Sequence, residues 1–508
     1  VGPALVIRPV TGDKPAVVLH PAGTVVTFAE LDARANRLAH FLRAEGLAVG
    51  DTVAILMENN EHIHVAMWAA RRIGLYYTVI NTHLSMPEVA YIVHDSGAKA
   101  LLSSRALRDT CERLAGTLPA VRGIADDDLP GWRRYPECVA AYPSHPVTDQ
   151  RAGQLLQYSA GSTGRPKGIR RPLDPDAPAA TLTTPVFEAL GVSADSVYLS
   201  PAPTYHTAPA MWTMAAQSVG ATVVMMQRFD AEQALACIER YRVTHAQFVP
   251  TMFVKMLRLP EPARRRYDLS SLQRVVHAAA PCPPAIKRQM LDWWGPIIDE
   301  YYGSSEGAGI SFIRAEEWLK HPGSVGKPML GVPHILDENG DELPPGRIGE
   351  VYYEGGYPFE YLNDSAKTAA SRTAAGWVTV GDVGYLDDDG YLYLTDRRDH
   401  MIISGGVNIY PQEVENELVS HPLVVDAAVF GVPDDVMGQS VMAVVQPTEP
   451  SRAGDALAAE LIEWLRQRLA HFKCPRSIEF EEQLPRTDAG KLYKRPLIQK
   501  YAAQSQVR

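Results

Sequence analysis

Apolar and polar positions along this chain follow two rhythms. Thr27-Phe-Ala-Glu30 sets a hydroxyl three residues ahead of a carboxylate, the pattern of a capping box, and Leu31, Leu38, Phe41 and Leu42 follow it at helical spacing. The unbroken apolar run 53–57 predicts a buried strand, 63–73 a helix, 76–80 a strand and 87–94 a helix. Leu155 and Leu156 read as a strand ahead of a glycine-rich loop. Beyond that loop the rhythm resumes. Strands are predicted over 196–200, 221–226, 246–249 and 273–278, and helices over 208–220 and 232–241. Such alternation predicts α/β layers around a largely parallel sheet.

From about residue 325 the texture changes. Short apolar runs are separated by turn signals at Asn339-Gly340, Pro344-Pro-Gly346 and Asp387-Asp-Asp-Gly390, which predicts a compact β subdomain. A smaller α/β unit follows from about 400, with strands over 401–404, 425–430 and 441–446 and helices over 411–419 and 455–469. The charged stretch Asp396-Arg-Arg-Asp-His400 marks the boundary between a domain of residues 1–398 and one of 399–508. The expected fold class is α/β: a large N-terminal domain of parallel-type α/β layers plus a β subdomain, then a small α+β C-terminal domain.

Composition narrows the function classes. The 508 residues are 46% hydrophobic and 21% charged, ordinary for a globular protein of two or more domains. A net charge of −10 supplies no broad basic field for nucleic acid. No apolar run approaches the roughly 20 residues of a membrane span, and Val1-Gly-Pro-Ala-Leu5 lacks the basic start of a secretory signal. Five scattered cysteines without a C-x-x-C pair argue against a disulfide framework or a zinc site, and for a reducing, cytoplasmic setting.

The candidate chemistry begins at Tyr158-Ser-Ala-Gly-Ser-Thr-Gly-Arg-Pro-Lys-Gly168. Glycines let the backbone approach an anion, hydroxyls and N–H groups bond phosphate oxygens, and Lys167 adds a full charge. It is not a Walker A loop, because glycine follows Lys167. A second motif, Tyr301-Tyr-Gly-Ser-Ser-Glu306, follows the apolar segment 296–298 and so ends a strand, the edge at which open α/β sheets bind ligands. An aromatic ring there can stack on a purine, and a glutamate can hold Mg²⁺, a hard cation that prefers oxygen. Gly376-Trp-Val-Thr-Val-Gly-Asp382 offers a carboxylate able to accept hydrogen bonds from a ribose diol.

Together these stretches resemble the signature motifs of the adenylate-forming enzymes, in their order, over about residues 27–497. The loop 158–168 is similar to the family's Tyr-Thr-Ser-Gly-Thr-Thr-Gly-x-Pro-Lys-Gly, with Ala160 in place of a serine and Ser162 in place of a threonine. Tyr302 to Glu306 resembles the Tyr-Gly-x-Thr-Glu box, 376–382 the Gly-Trp-x-x-Thr-Gly-Asp box with Val380 for threonine, and 278–281 (Ala-Ala-Ala-Pro) the Gly-Gly-x-Pro turn. Residues 395–415 resemble the hinge and the loop after it, and Pro485-Arg-Thr-Asp-Ala-Gly-Lys491 the C-terminal lysine motif.

The resemblance implies an acyl-CoA synthetase that takes ATP, Mg²⁺ and coenzyme A, with the C-terminal domain as a mobile lid. It implies ATP contacts from Ser159, Gly161, Ser162, Thr163, Gly164, Lys167, Ala279, Ala280, Tyr302, Ser305, Asp382 and Arg397. It further implies Glu306 and Thr163 at the metal, Lys491, Glu306 and His206 at the reacting groups, Asp399 as hinge, and Gly405 and Gly406 on the coenzyme A tunnel. Ala208, Met211 and Trp212, beyond His206 in Pro203-Thr-Tyr-His-Thr-Ala-Pro209, are expected to wall the acyl pocket. These residues favour a hydrophobic acid, bulky or polycyclic ones included, with a core-packing helix as an equal alternative. The partner is a small-molecule carboxylic acid, without nucleic acid or a membrane span. A homodimer is left open, and a carrier protein replaces coenzyme A only under the alternative of a stand-alone adenylation enzyme.

Overall fold

The structure, a computed structural model, describes residues 13–114, 121–159, 166–174, 185–434, 436–486 and 492–505. Its largest element is a nine-stranded sheet in the order Lys327–Leu330, Ile310–Ile313, Ile298–Gly303, Arg274–His277, His245–Phe248, Val197–Ser200, Thr222–Met226, Pro15–His20, Val25–Thr27. Its middle, from Ile298–Gly303 to Pro15–His20, pairs parallel throughout, and antiparallel strands close both edges.

Period-two alternation explains why these strands are apolar on both faces. Val17, Leu19, Val223 and Met225 enter one core cluster, while Val18, Val224 and Met226 enter another on the opposite face. Helices cover both faces. Phe28–Ala44 starts at the expected capping box, in which the Glu30 N–H donates to Thr27 Oγ1 at 3.2 Å and the Thr27 N–H to Glu30 Oε2 at 2.9 Å. Its Leu31, Leu38, Phe41 and Leu42 are buried.

A second, six-stranded sheet runs parallel throughout, in the order Arg133–Arg134, Val121–Ala125, Ala98–Ser104, Thr52–Leu56, Tyr76–Val79, Gln154–Leu155. Three antiparallel strands, Glu360–Tyr361, Lys167–Arg170 and Gln157–Ser159, lead away from it. The β subdomain expected after 325 is an antiparallel sheet of Val332–Leu336, Gly349–Glu354, Val378–Leu386 and Leu392–Arg397, and its last hairpin turns at Asp387–Gly390 as read from sequence.

The C-terminal unit has its own core, built from Ile402, Ile409, Val414, Leu418, Val429, Leu461 and their neighbours. Its two central strands are longer than the apolar runs suggested. They span Val424–Asp434 and Gly438–Pro447, because backbone pairing continues through Pro433, Gln439 and Ser440 where side chains carry no apolar signal. The helix expected over 455–469 stops at Arg466.

Candidate functional site

Two parallel neighbours, Arg274–His277 and Ile298–Gly303, end side by side, with His277 opposite Glu300. The chain leaves the first strand through Ala278-Ala-Ala-Pro281 and the second through Tyr302 to Glu306, so both expected nucleotide motifs emerge at the same sheet edge. Ala279 is exposed and holds a left-handed backbone, φ 73°. That conformation costs a non-glycine residue about 1–3 kcal/mol.

The Tyr302 hydroxyl donates to Asp382 Oδ2 at 2.5 Å, and the Arg397 Nε lies 3.1 Å from Asp382 Oδ1. Asp382 and Arg397 are register partners on adjacent strands, which fixes their approach. Arg397 also donates to the Val380 carbonyl at 2.6 Å, a contact indifferent to the missing threonine hydroxyl. Burial, then the neighbouring Asp382 carboxylate, hold the Tyr302 phenol well above its ordinary range, so it remains a donor.

Glu306 is reached by a residue that no sequence motif marked. The Tyr361 hydroxyl donates to Glu306 Oε1 at 2.9 Å, and burial, then Glu306, raise that phenol's pKa. Tyr361 pairs with Ile169 two positions after Lys167, and Lys167 pairs with Ser159. Lys167, Ser159 and Glu306 are thereby gathered at the two ends of the phosphate loop. The Lys367 ammonium sits 4.3 Å from the Tyr361 ring centre and beside the Lys167 amine. Burial, then that amine, lower its pKa to about 8. Gly161, Ser162, Thr163 and Gly164 lie outside the described residues.

A single carboxylate such as Glu306 suits Mg²⁺, which takes few protein ligands and completes its shell from phosphates and water. Among the described residues, the His and acidic groups close enough to share an ion are Glu61, His62 and Asp126, a set without Glu306.

His206 precedes the helix Thr207–Ser218, and its ring packs at 4.6 Å on Tyr205. Thr207 Oγ1 lies 3.2 Å from Ser305 Oγ, which ties this helix to the Tyr302–Glu306 loop, and Arg171, just after the strand Lys167–Arg170, donates to the Ser305 carbonyl at 3.1 Å. Ala208 and Met211 are half-buried. Trp212 is buried, stacked between Tyr198 and Tyr301 at 6.4 and 5.5 Å with Phe187 edge-on, so it lies in the core as well as on the expected pocket helix.

Asp399 is exposed in a single helical turn, Arg398–His400, between the β subdomain and the C-terminal unit. Asp396, within the expected hinge run but given no role there, joins the two. It accepts from the Gln412 N–H at 2.9 Å, at the start of the helix Pro411–Ser420, and His400 Nδ1 lies 3.4 Å away. Burial alone would raise its pKa, but His400, Lys494 and two backbone N–H groups outweigh burial and hold it low. Gly405 and Gly406, φ 56° and 77°, form a two-residue hairpin turn between Ser404 and Val407, where both positions need a left-handed backbone. Lys491 lies outside the described residues. Its flanks do not: Arg486 pairs with Leu492, and Arg486 Nε and Nη2 donate to Asp426 Oδ2 and Oδ1.

Sequence reading missed Tyr361, Asp396 and Arg171 as supports of the site. Arg171 carried a signal in its place directly after the strand that closes the phosphate loop, and Asp396 in the charged boundary stretch it opens; Tyr361 carried none.

Residues 9–360 match the model of the AMP-binding enzyme family, and residues 413–491 that of the AMP-binding enzyme C-terminal domain. The chain is 35% identical to a feruloyl-CoA synthase of Amycolatopsis, covering 94% of both chains. It is 31% identical to a fatty acid–[acyl-carrier-protein] ligase of Streptomyces coeruleorubidus, covering 96% of this chain and 93% of that one. ATP-bound MatB from Rhodopseudomonas palustris superposes with a TM-score of 0.85 at 27% identity, covering 98% of both chains. The chain therefore belongs to the AMP-binding enzymes, the adenylate-forming superfamily, within its CoA-ligase branch.

Proposed function

We propose that this acid–thiol ligase, which uses ATP, Mg²⁺ and coenzyme A, activates a hydrophobic carboxylic acid, and that its nucleotide lies between the Ala279–Ala280 turn and Tyr302. The observation that carries the reading is the meeting of Tyr302, at the end of its strand in the nine-stranded sheet, with Asp382 and Arg397 of the β subdomain.

In this reading Tyr302 stacks on adenine, and Asp382 and Arg397 take the ribose hydroxyls. Ser159, the backbone of 161–164 and Lys167 cradle the β- and γ-phosphates. Glu306 and Thr163 hold Mg²⁺, which supplies charge neutralisation at the phosphates when bound. Lys491 brings the substrate carboxylate to the α-phosphate against their mutual repulsion, with His206 beside it. A carboxylate oxygen attacks the α-phosphorus, the bond to pyrophosphate breaks, and acyl-adenylate forms. The lid of residues 399–508 then turns about Asp399, withdrawing Lys491 and presenting Gly405 and Gly406. The coenzyme A thiolate attacks the acyl carbon, and AMP leaves with the electron pair of the broken C–O bond. Two lid poses let one pocket serve both steps while water is kept out.

The helix Thr207–Ser218 carries no acidic residue, which disfavours an amino group on the substrate. Half-buried Ala208 and Met211 against an aromatic stack favour an apolar acid, and the feruloyl-CoA synthase relative supports a ring-bearing one. All five cysteines are free, which supports a reducing, cytoplasmic setting. Pyrophosphate release over fatty, aryl and polycyclic acids, with coenzyme A or a phosphopantetheinylated carrier as acceptor, tests the reading. Turnover of an apolar acid with coenzyme A is expected. Preference for amino acids, or strict dependence on the carrier, would overturn it.

A further inference from the structure

Behind the nucleotide turn lies a buried ion pair, Lys287 with Glu300, with His277 beside it, that the reaction does not use; burial lowers the His277 pKa, which favours the neutral ring. The Lys287 ammonium is 2.6 Å from Glu300 Oε2, and His277 Nε2 is 3.3 Å from the same oxygen. Lys287 and His277 are 0% exposed and Glu300 7%. Lys287 Nζ also lies 4.8 Å from the centre of the buried Trp318 ring.

The three come from three segments that frame one slot. His277 is the last residue before the Ala278–Pro281 turn. Lys287 is in the first turn of the helix Pro284–Trp294 that leaves it. Glu300 stands two residues before Tyr302, on the neighbouring strand. A single carboxylate thus fixes both ends of the turn against the strand that carries the opposite wall. Such a pair is a weak source of net stability, because desolvation offsets its attraction and apolar replacements of like volume are often neutral. What it does supply is a fixed geometry. The turn needs one: Ala279 holds φ 73° without being glycine, and a backbone of that kind persists only where its surroundings over-determine it.

We propose that Lys287 and Glu300, with His277, are positioning residues that hold the Ala279 turn in its left-handed conformation and so shape one wall of the adenine slot. The proposal rests on the reading that adenine lies between this turn and Tyr302. Burial alone would raise the Glu300 pKa, but His277 and Lys287 outweigh it and hold the carboxyl at about 2, which keeps the clamp ionised.

The test compares steady-state kinetics of the full chain and its variants. In Lys287→Met/Glu300→Leu, which removes both charges together, the KM for ATP should rise roughly tenfold, as a misplaced binding wall does, while the KM for the acid stays within about twofold. Adding Ala279→Gly, which makes the left-handed turn intrinsically accessible, should return the KM for ATP most of the way. A purely structural role would lower the active fraction without this split or this rescue. The proposal is overturned by an unchanged KM for ATP, by a matched rise in the KM for the acid, by failure of Ala279→Gly to restore, or by a double variant that does not fold. Tyr302→Ala separates the two levels. If it leaves the KM for ATP unchanged, the slot reading itself falls and the clamp with it. If it raises that KM and the double variant does not, only the clamp falls.

Discussion

Tyr302 and Asp382, separated by 80 residues, are joined by a 2.5 Å hydrogen bond from phenol to carboxylate. The bond ties the strand edge of the nine-stranded sheet to the β subdomain. It sets the expected adenine-stacking ring and the expected ribose ligand at a fixed spacing. Tyr302→Phe keeps the ring and removes the bond, so the KM for ATP should rise about three- to tenfold with kcat nearly kept, the effect of one charge-assisted hydrogen bond. Asp382→Ala removes the ribose acceptor and strands the Arg397 charge, and should lower kcat/KM for ATP by roughly 100-fold. Initial rates at varied ATP and saturating acid check both.

Glu306 accepts from Tyr361, whose strand pairs with the one that Lys167 opens. Glu306→Gln keeps an acceptor for that hydroxyl and removes the charge that a hard cation needs. The Mg²⁺ concentration for half-maximal pyrophosphate release should rise by about tenfold or more, the effect of losing a charged partner. Tyr361→Phe should move it much less. Equal Mg²⁺ dependence in wild type and Glu306→Gln would remove Glu306 from the metal.

These two residues also show where sequence pattern stops. Glu306, Asp382 and Arg397 stand inside ordered runs of glycine, aromatic and charged residues, which stand out in a single sequence. Tyr361 stands in an ordinary edge strand, and Asp396 in a charge run. The Tyr361 contact arises only when segments 55 residues apart meet, and the Asp396 contact only when the helix Pro411–Ser420 folds back on it, so neither is encoded by local spacing. The same holds for the fold. Strands of 4–6 apolar residues in the central sheet, such as Thr222–Met226, announce themselves. The ribbon of Val424–Asp434 and Gly438–Pro447 outruns its apolar core because backbone hydrogen bonds, blind to side-chain polarity, extend it. Trp212 shows a third limit: helical spacing places it beside Met211, but not on which side of the helix the core lies.

Acid should loosen the clamp in a defined window. The Glu300 carboxyl is lowered from 4.5 to about 2 in the folded chain. A depressed carboxyl contributes stability that is fully present above its unfolded value and is lost as pH falls through the folded one. The stability that Glu300 contributes should therefore be complete above about pH 4.5 and disappear toward pH 2. Melting temperatures between pH 4.5 and pH 2 should fall more steeply for the wild type than for Lys287→Met/Glu300→Leu. Parallel curves would contradict the assignment.

The acyl wall predicts its own selectivity change. Ala208→Phe fills space on the half-buried face of the helix Thr207–Ser218. It should lower kcat/KM for bulky ring acids by about 10- to 100-fold and spare short acids, the range set by steric loss in an apolar pocket. Competition between a short and a polycyclic acid, read by mass spectrometry of the thioesters, checks it.

The two-pose mechanism stands or falls on Lys491, and the half-reactions of Lys491→Ala measure it most directly. Pyrophosphate release from ATP and acid should drop by roughly 100- to 1,000-fold, the loss expected when a preorganised charge at the transition state is removed. Thioester formation from supplied acyl-adenylate and coenzyme A should stay within about threefold of wild type, because Lys491 has left the pocket in that pose. Equal loss of both half-reactions would contradict the account.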